Sequence, residues 1–398
     1  MIYGMPKAAL ASQRLRNISR SLLLDEFESF TESKKIGVIG CGMIGGSIAL
    51  SLSKSGNNIL VLDLPKNEKA IAKQIPSVMF MKNIAELCGE NPRVVFICVP
   101  SEKTVKILCE VSSFASQGMV ITDVAGVKSP IMDAARKCIN EDVVFVGGHP
   151  MAGSERSGVE AAQPFLFQNA VYVLSPLQDY PEEKISPLLE TIQQLGARIL
   201  FMDAAQHDRI AAAVSHLPQL VAVELVNLVN ELSASDNNFN TLAAGGFRDM
   251  TRIASSDFAV WKDVISSNLG NIVSVLHSFV NRLVGLNEAL DTSNMENIGH
   301  EFENAKMARS RIRKGGKGFL HPLYELHVVV EDKVGVLKEI TSSLADHNIN
   351  IKDIELLKVR EGTGGMFRLS FDTEQIQDRA AHILEQRGFQ ILWKEFEG

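Results

Sequence analysis

The chain has 398 residues, 45% of them hydrophobic and 22% charged, with a formal net charge of −7 at pH 7. That length allows two or three domains with full cores, and the acidic balance argues against a general nucleic-acid binder. No apolar run approaches the ~20 residues of a membrane span, and the five cysteines, with no Cys-x-x-Cys pair, read as free thiols in a reducing, cytoplasmic compartment.

The first 33 residues stand apart. Lys7, Arg14, Arg16 and Arg20 precede the first acid, Asp25, among several serines. The composition suits an organellar transit peptide, but equally an amphipathic helix or a frayed tail, and the latter pair is the plainer reading.

From Lys34 to Asp203 strands and helices alternate. Continuous apolar runs at Ile36–Gly40, Ile59–Leu62, Arg93–Val99, Met119–Asp123, Val143–Gly147, Ala170–Ser175 and Ala197–Phe201 predict a parallel, doubly wound α/β sheet. The first run enters Gly40-Cys41-Gly42-Met43-Ile44-Gly45, a Gly-x-Gly-x-x-Gly turn followed by an apolar helix. Gly40 allows the tight turn, Gly42 admits a pyrophosphate, and Gly45 lets the helix approach its strand. The helix N-terminus, at Met43 and Ile44, offers N–H groups to phosphate. Asp63 ends the second strand about 20 residues on, where a ribose 2′-hydroxyl would be held, so the expected cofactor is NAD rather than NADP. Pro100 and Asp123 fall just past strand C-termini, the ligand edge of such sheets.

The run Gly147-Gly148-His149-Pro150-Met151-Ala152-Gly153-Ser154-Glu155 follows a strand directly. Its glycines and proline predict a loop that places His149 beside the cofactor crevice. A histidine there can accept a hydroxyl proton as hydride leaves.

From Ala204 to Ile312 strand signals vanish and apolar residues recur at helical spacing, in one segment through Ala211, Val214, Leu217 and Leu228 and a second from Ile265 to Leu283. Helices this apolar need partners, so an intertwined homodimer is expected. His207 and His216 are nine residues apart, half a turn out of phase on one continuous helix. Both can face one pocket only if the helix breaks, as Pro218 could cause, or if one serves a neighbouring subunit.

Residues 313–322 read as a charged, glycine-rich linker. Residues 323–398 give the order βαββαβ, a ferredoxin-like module, with strands at Tyr324–Val330, Ile349–Val359, Met366–Phe371 and Phe389–Trp393.

Taken together the chain resembles the prephenate/arogenate dehydrogenase family, in its form with a C-terminal ACT domain. The resemblance rests on Gly-His-Pro-Met-Ala-Gly-Ser-Glu-Arg-Ser-Gly (148–158), Gln-His-Asp (206–208), Ser-His-Leu-Pro (215–218) and Gly-Gly-Phe-Arg-Asp-Met-Thr-Arg-Ile-Ala (245–254), and covers the chain from Lys34 onward. It implies three parts: a Rossmann domain (34–203), a helical dimerisation domain (204–312) and an ACT domain (323–398). It also implies NAD-dependent oxidative decarboxylation of prephenate. His149 would deprotonate the C4 hydroxyl, Arg252 would clamp a carboxylate, and His216 would stand at the substrate. Ser154, Glu155, His207, Asp249 and Trp261 would line the substrate site, although Asp249 could instead pair with Arg252 three residues later.

One departure is visible. Where the family commonly has a serine against the catalytic histidine, this chain has Gly126, in Thr122-Asp123-Val124-Ala125-Gly126-Val127-Lys128. A water could replace the hydroxyl, or the substrate could differ at C4, which keeps arogenate and 4-amino-4-deoxyprephenate open. In the ACT module, Asp332, Val334, Gly335 and Val336 match the effector loop. L-Tyrosine feedback is the implied role, and a dimerisation module without ligand is the alternative. A non-catalytic NAD and amino-acid sensor would need neither His149 nor Arg252. No metal site, nucleic acid or membrane partner is expected.

Overall fold

A computed structural model describes residues 34–140, 142–153, 156–234, 236, 238–311, 323–360 and 364–392. Chain contacts divide the molecule into two units, at His300/Glu301. The first unit holds the sheet and the first helices after it, and the division falls inside the helix Met295–Arg311.

The first unit holds an eight-stranded sheet of order β3-β2-β1-β4-β5-β6-β7-β8. Its strands are β1 (Lys35–Ile39), β2 (Asn58–Leu62), β3 (Met79–Phe80), β4 (Val94–Ile97), β5 (Val120–Asp123), β6 (Val144–Pro150), β7 (Val171–Pro176) and β8 (Arg198–Phe201). β1 pairs in parallel with both β2 and β4, which opens the crevice at their C-terminal ends. Helices cover both faces, so the central strands are apolar on both sides; all four residues of β4 are buried.

The sheet is parallel and doubly wound as expected, except at one strand. β7 runs antiparallel to β6, with His149 opposite Val173. A parallel return needs a crossover of a dozen or more residues, usually a helix. Between β6 and β7 the described chain holds only the short 3₁₀ turn Val159–Ala161, and the strand comes straight back. β8 is again parallel to β7, after the helix Glu182–Gln194. The two-residue β3 has too short a run to register in the sequence.

The helices Ala204–Ala211 and Leu217–Ser233 are joined by a π-helical turn, Ala212–His216. The second apolar segment is also interrupted: Phe258–Ser267 ends at Asn268 and Leu269–Asp291 begins. By length and composition the helical stretches Ala204–Ser233 and Leu269–Asp291 could each cross a membrane, contrary to the sequence expectation. That expectation counted unbroken apolar runs, whereas these stretches carry polar residues such as Glu224, Asn230, Asn271 and His277 between their apolar ones.

The cysteine expectation is also corrected. Cys109 and Cys138 form a disulfide, while Cys41, Cys88 and Cys98 are free. The pair lies on the helices Ser101–Phe114 and Ser129–Cys138, 29 residues apart in sequence. Only packing of the two helices makes them neighbours.

The second unit contains a four-stranded antiparallel sheet, β10-β11-β9-β12, built from β9 (Tyr324–Val330), β10 (Asp353–Arg360), β11 (Gly364–Phe371) and β12 (Gln390–Leu392). The helices Val336–Ala345 and Glu374–Gln386 complete the βαββαβ order. Leu326, Val328, Ile340, Leu344, Leu369 and Leu384 form its own core. Residues 1–33 and the linker 313–322 lie outside the described residues.

Candidate active site

The glycine turn is built for close approach. Gly40 has φ +91°, and a Cβ there would sit 2.6 Å from the Cys98 carbonyl oxygen. A Cβ on Gly45 would sit 2.0 Å from the Gly40 carbonyl oxygen, so the helix Met43–Lys54 lies directly on its strand. Gly42 is the N-cap, and a Cβ there would meet nothing within 4 Å. The helix start has no side-chain cap and no acid in its first turn. Its N–H groups thus face an open cradle suited to a pyrophosphate. Asp63 reaches the same turn: it accepts from Cys41 N at 2.5 Å and from Leu64 N and Asn67 Nδ2 at 2.6 Å. Pro100 caps the helix after β4 at the same sheet edge. These features fit a dinucleotide.

His149 is the penultimate residue of β6, not part of a loop. Gly148 allows this, because a Cβ there would lie 2.5 Å from the Asp123 carbonyl oxygen. His149 Nδ1 is 2.8 Å from His207 Nε2, and His207 Nδ1 is 2.8 Å from Asp208 Oδ1. Asp208 also accepts from Lys128 N and Ser129 N, both at 2.7 Å. Burial pushes its carboxyl up, but hydrogen bonds from His207, Ser129 and Lys128 outweigh that and hold it below the usual range.

The tautomers follow. An ionised carboxylate only accepts, so His207 Nδ1 donates to Asp208, and in the neutral ring Nε2 then accepts. His149 Nδ1 must then donate to His207, which leaves His149 Nε2 as an acceptor. Burial first, and then the neighbouring His207, Lys128 and His216, hold His149 well below its usual range, so the ring is neutral. Its Nε2 faces Gly126, where a Cβ would be 3.7 Å away. The arrangement is that of a positioned general base.

The π turn resolves the phase of the two histidines. A proline at 218 has no N–H for the carbonyl four residues earlier, and the helix widens ahead of it. His207 and His216 are both 3% exposed. Asn268, at the break between helices, donates through Nδ2 to the Asp208 carbonyl at 2.8 Å and lies 3.2 Å from His216 Nδ1. With Nδ1 accepting, His216 presents Nε2–H. Burial pulls its pKa down to about 4, so it too is neutral. Trp261 meets the His216 ring edge-on, with centroids 6.0 Å apart. Arg252 opens the turn Arg252–Ser255, which Gln219 ties to the His216 helix through Ile253 O at 2.9 Å. Arg252 and Asp249 are exposed. Ser154 and Glu155 lie outside the described residues. Met43 reaches their loop, with its Cε 3.7 Å from where a Gly153 Cβ would be.

Asp123 is the last residue of β5, at the C-terminal edge of the sheet; it is fully buried, and its carboxylate accepts from Ala125 N (2.9 Å), Gly148 N (3.1 Å) and the Lys128 ammonium. Asp208, Asn268 and Lys128 were not singled out in the sequence. Asp208 and Lys128 stood inside quoted motifs; Asn268 gave no signal.

In the second unit Gly335 has φ +93° and caps the helix Val336–Ala345, with Val334 fully exposed beside it.

Residues 48–201 match the nucleotide-binding domain of prephenate dehydrogenase, residues 203–304 its dimerisation domain, and residues 326–386 an ACT domain of the type described as AHAS small subunit-like. Prephenate dehydrogenase of Bacillus subtilis is 34% identical over 87% of this chain and 95% of that one. The Lactococcus lactis prephenate dehydrogenase is 33% identical over 89% and 98%. Among solved structures, prephenate dehydrogenase of A. aeolicus, in complex with hydroxyphenyl propionate and NAD+, superposes with TM-score 0.65 and 27% identity, over 71% of this chain and 100% of that one. Synechocystis arogenate dehydrogenase gives TM-score 0.60 and 27% identity, over 70% and 99%.

Proposed function

The chain belongs to the prephenate dehydrogenase family and is an NAD-binding oxidoreductase, and from that premise we propose that it converts prephenate to 4-hydroxyphenylpyruvate for tyrosine biosynthesis, under feedback by L-tyrosine. The observation that carries this reading is the buried His149–His207–Asp208 chain, which leaves His149 Nε2 as a base at the sheet edge.

Bound NAD+ supplies the acceptor for a hydride. Gly40, Gly42 and Gly45, with the N–H groups at Met43 and Ile44, hold its pyrophosphate, and Asp63 holds a ribose hydroxyl. His149 Nε2 takes the C4 hydroxyl proton as hydride leaves C4. The ring carboxylate then departs as CO₂, and its bonding electrons restore an aromatic ring. Aromatisation drives the reaction, so positioning is the protein's main task. His216 Nε2–H donates to the substrate. Arg252 grips a carboxylate, a task suited to a guanidinium fork. Trp261, Asp249, Ser154 and Glu155 contact the substrate. Gly126 leaves the space beside the base free of any side chain.

The helical segment forms a homodimer through its apolar faces, consistent with its match to a dimerisation domain. The loop Asp332, Val334, Gly335, Val336 binds the effector. A cytoplasmic setting follows from the soluble biosynthetic role.

The test is turnover of prephenate and arogenate with NAD+ and NADP+, with products identified, in the presence and absence of L-tyrosine. Prephenate with NAD+ is the expected pair. His149→Asn lowers kcat by roughly 10²- to 10⁴-fold with a modest change in KM, and Arg252→Gln chiefly raises KM. Preference for arogenate, or equal use of NADP+, overturns the corresponding part of the proposal.

A further inference from the structure

Lys128 is fully buried, which is rare for a lysine and requires a partner. Its ammonium pairs with Asp123, whose other oxygen accepts from Gly148 N, the residue before His149. Its stem runs along β6: a Cβ on Gly147 would lie 3.4 Å from Lys128 Cδ. Its own backbone N–H donates to Asp208, the far end of the histidine chain. One residue therefore touches both anchors of His149, through its side chain on one side and its backbone on the other.

We propose that Lys128 is a positioning residue for the dehydrogenase reaction: its buried ammonium, held by Asp123 against the strand that carries His149, keeps that imidazole unprotonated. The proposal rests on the reading of His149 as the base. The other charged or titratable groups facing His149 are Asp123, which pairs with Lys128 and accepts from Gly148 N, His207 and Asp208 from the helix Ala204–Ala211, and His216 from the π turn. Burial is the first influence against the imidazolium; among the groups that act on it together with Lys128, Asp208 alone favours it, and His207 stands between Asp208 and His149. A fixed cation on the strand side opposes it. Dispensing with the cation would let His149 take a proton nearer neutral pH, where it would cease to act as a base.

The experiment compares kcat/KM against pH for the full-length enzyme with prephenate and NAD+. The variants are Lys128→Met and the double variant Asp123→Asn/Lys128→Met, which leaves no unpaired buried charge. The expected result is an acid limb shifted toward neutral pH by about one unit or more in both, with activity above that limb kept within about tenfold. Rates that fall equally at all pH values, with the limb unmoved, overturn the proposal. If Lys128→Met does not fold, the double variant decides. Collapse of both, read by circular dichroism, makes the pair a structural element and also overturns it. His149→Asn separates this from the underlying reading. An acid limb that persists in that variant refutes His149 as the base, whereas a limb lost there but unmoved by the Lys128 variants refutes only the role of Lys128.

Discussion

The sheet and the helices that follow it solve the burial problem differently. β4 buries all four of its residues between helices of the same chain. The helix Leu269–Asp291 buries only Ile272 and Ala289 of its 23 residues, and leaves Val280, Leu283, Val284 and Leu290 about half exposed. A sheet covered on both faces completes its core within one chain. A long apolar helix with an uncovered face completes its core by association. The site stands on the seam, with His149 from the sheet and His207, His216 and Asn268 from the helices.

This contrast can be broken most forcefully on the helical side. Aspartate at both Val280 and Leu283, one turn apart on the apolar face, should weaken dimerisation by at least roughly 10³-fold, given ~1.5–3 kcal/mol per buried apolar side chain. Sedimentation across protein concentrations measures it. Unchanged association would show that this face is not the interface.

On the sheet side, Phe96→Ala empties a fully buried position and should cost about 3–5 kcal/mol. Still a dimer, it should keep the concentration dependence of its denaturation midpoint, which the helical variant should lose. Matching concentration dependence in both would erase the distinction.

A smaller effect comes from His216. Its folded pKa is about 4 against the ordinary 6.5, so the unfolded chain binds the extra proton first. Stability from the neutral ring is full above about pH 6.5, declines as pH falls toward 4, and levels off below. Thermal melts across that window should show the slope, and His216→Asn should reduce it, leaving the part due to His149. The smallest effect is local to the cofactor turn: Asp63→Ala should narrow the preference for NAD+ over NADP+ by about tenfold, read from KM for each cofactor.

Much of this architecture was readable from short stretches. The runs ending at Ile39, Leu62 and Ile97 are apolar because both sheet faces are covered, and the glycines at 40 and 45 mark a turn too close-packed for a side chain. The order of elements after Leu323 followed from alternation and helical spacing alone. The extension of β6 through Pro150 was not readable, because two glycines before a proline signal a loop unless a neighbouring strand stands close enough to require them. Nor was the antiparallel β7, whose direction depends on how the chain returns rather than on its own residues.

Short-range pattern was enough for most of the elements and their order, though not for β3 or the π turn, and for singling out His149, His207, His216 and Arg252, since periodicity and turn chemistry act over a few residues. Tertiary structure decided which of these work together. His149 and His207 are 58 residues apart, and Asp208 is 80 from the Lys128 N–H that holds it. Such pairs exist only after the sheet and helices have packed. The π turn that turns His216 toward its partners depends on that packing, and so does Asn268, an ordinary residue in a helical pattern until its amide is enclosed between Asp208 and His216.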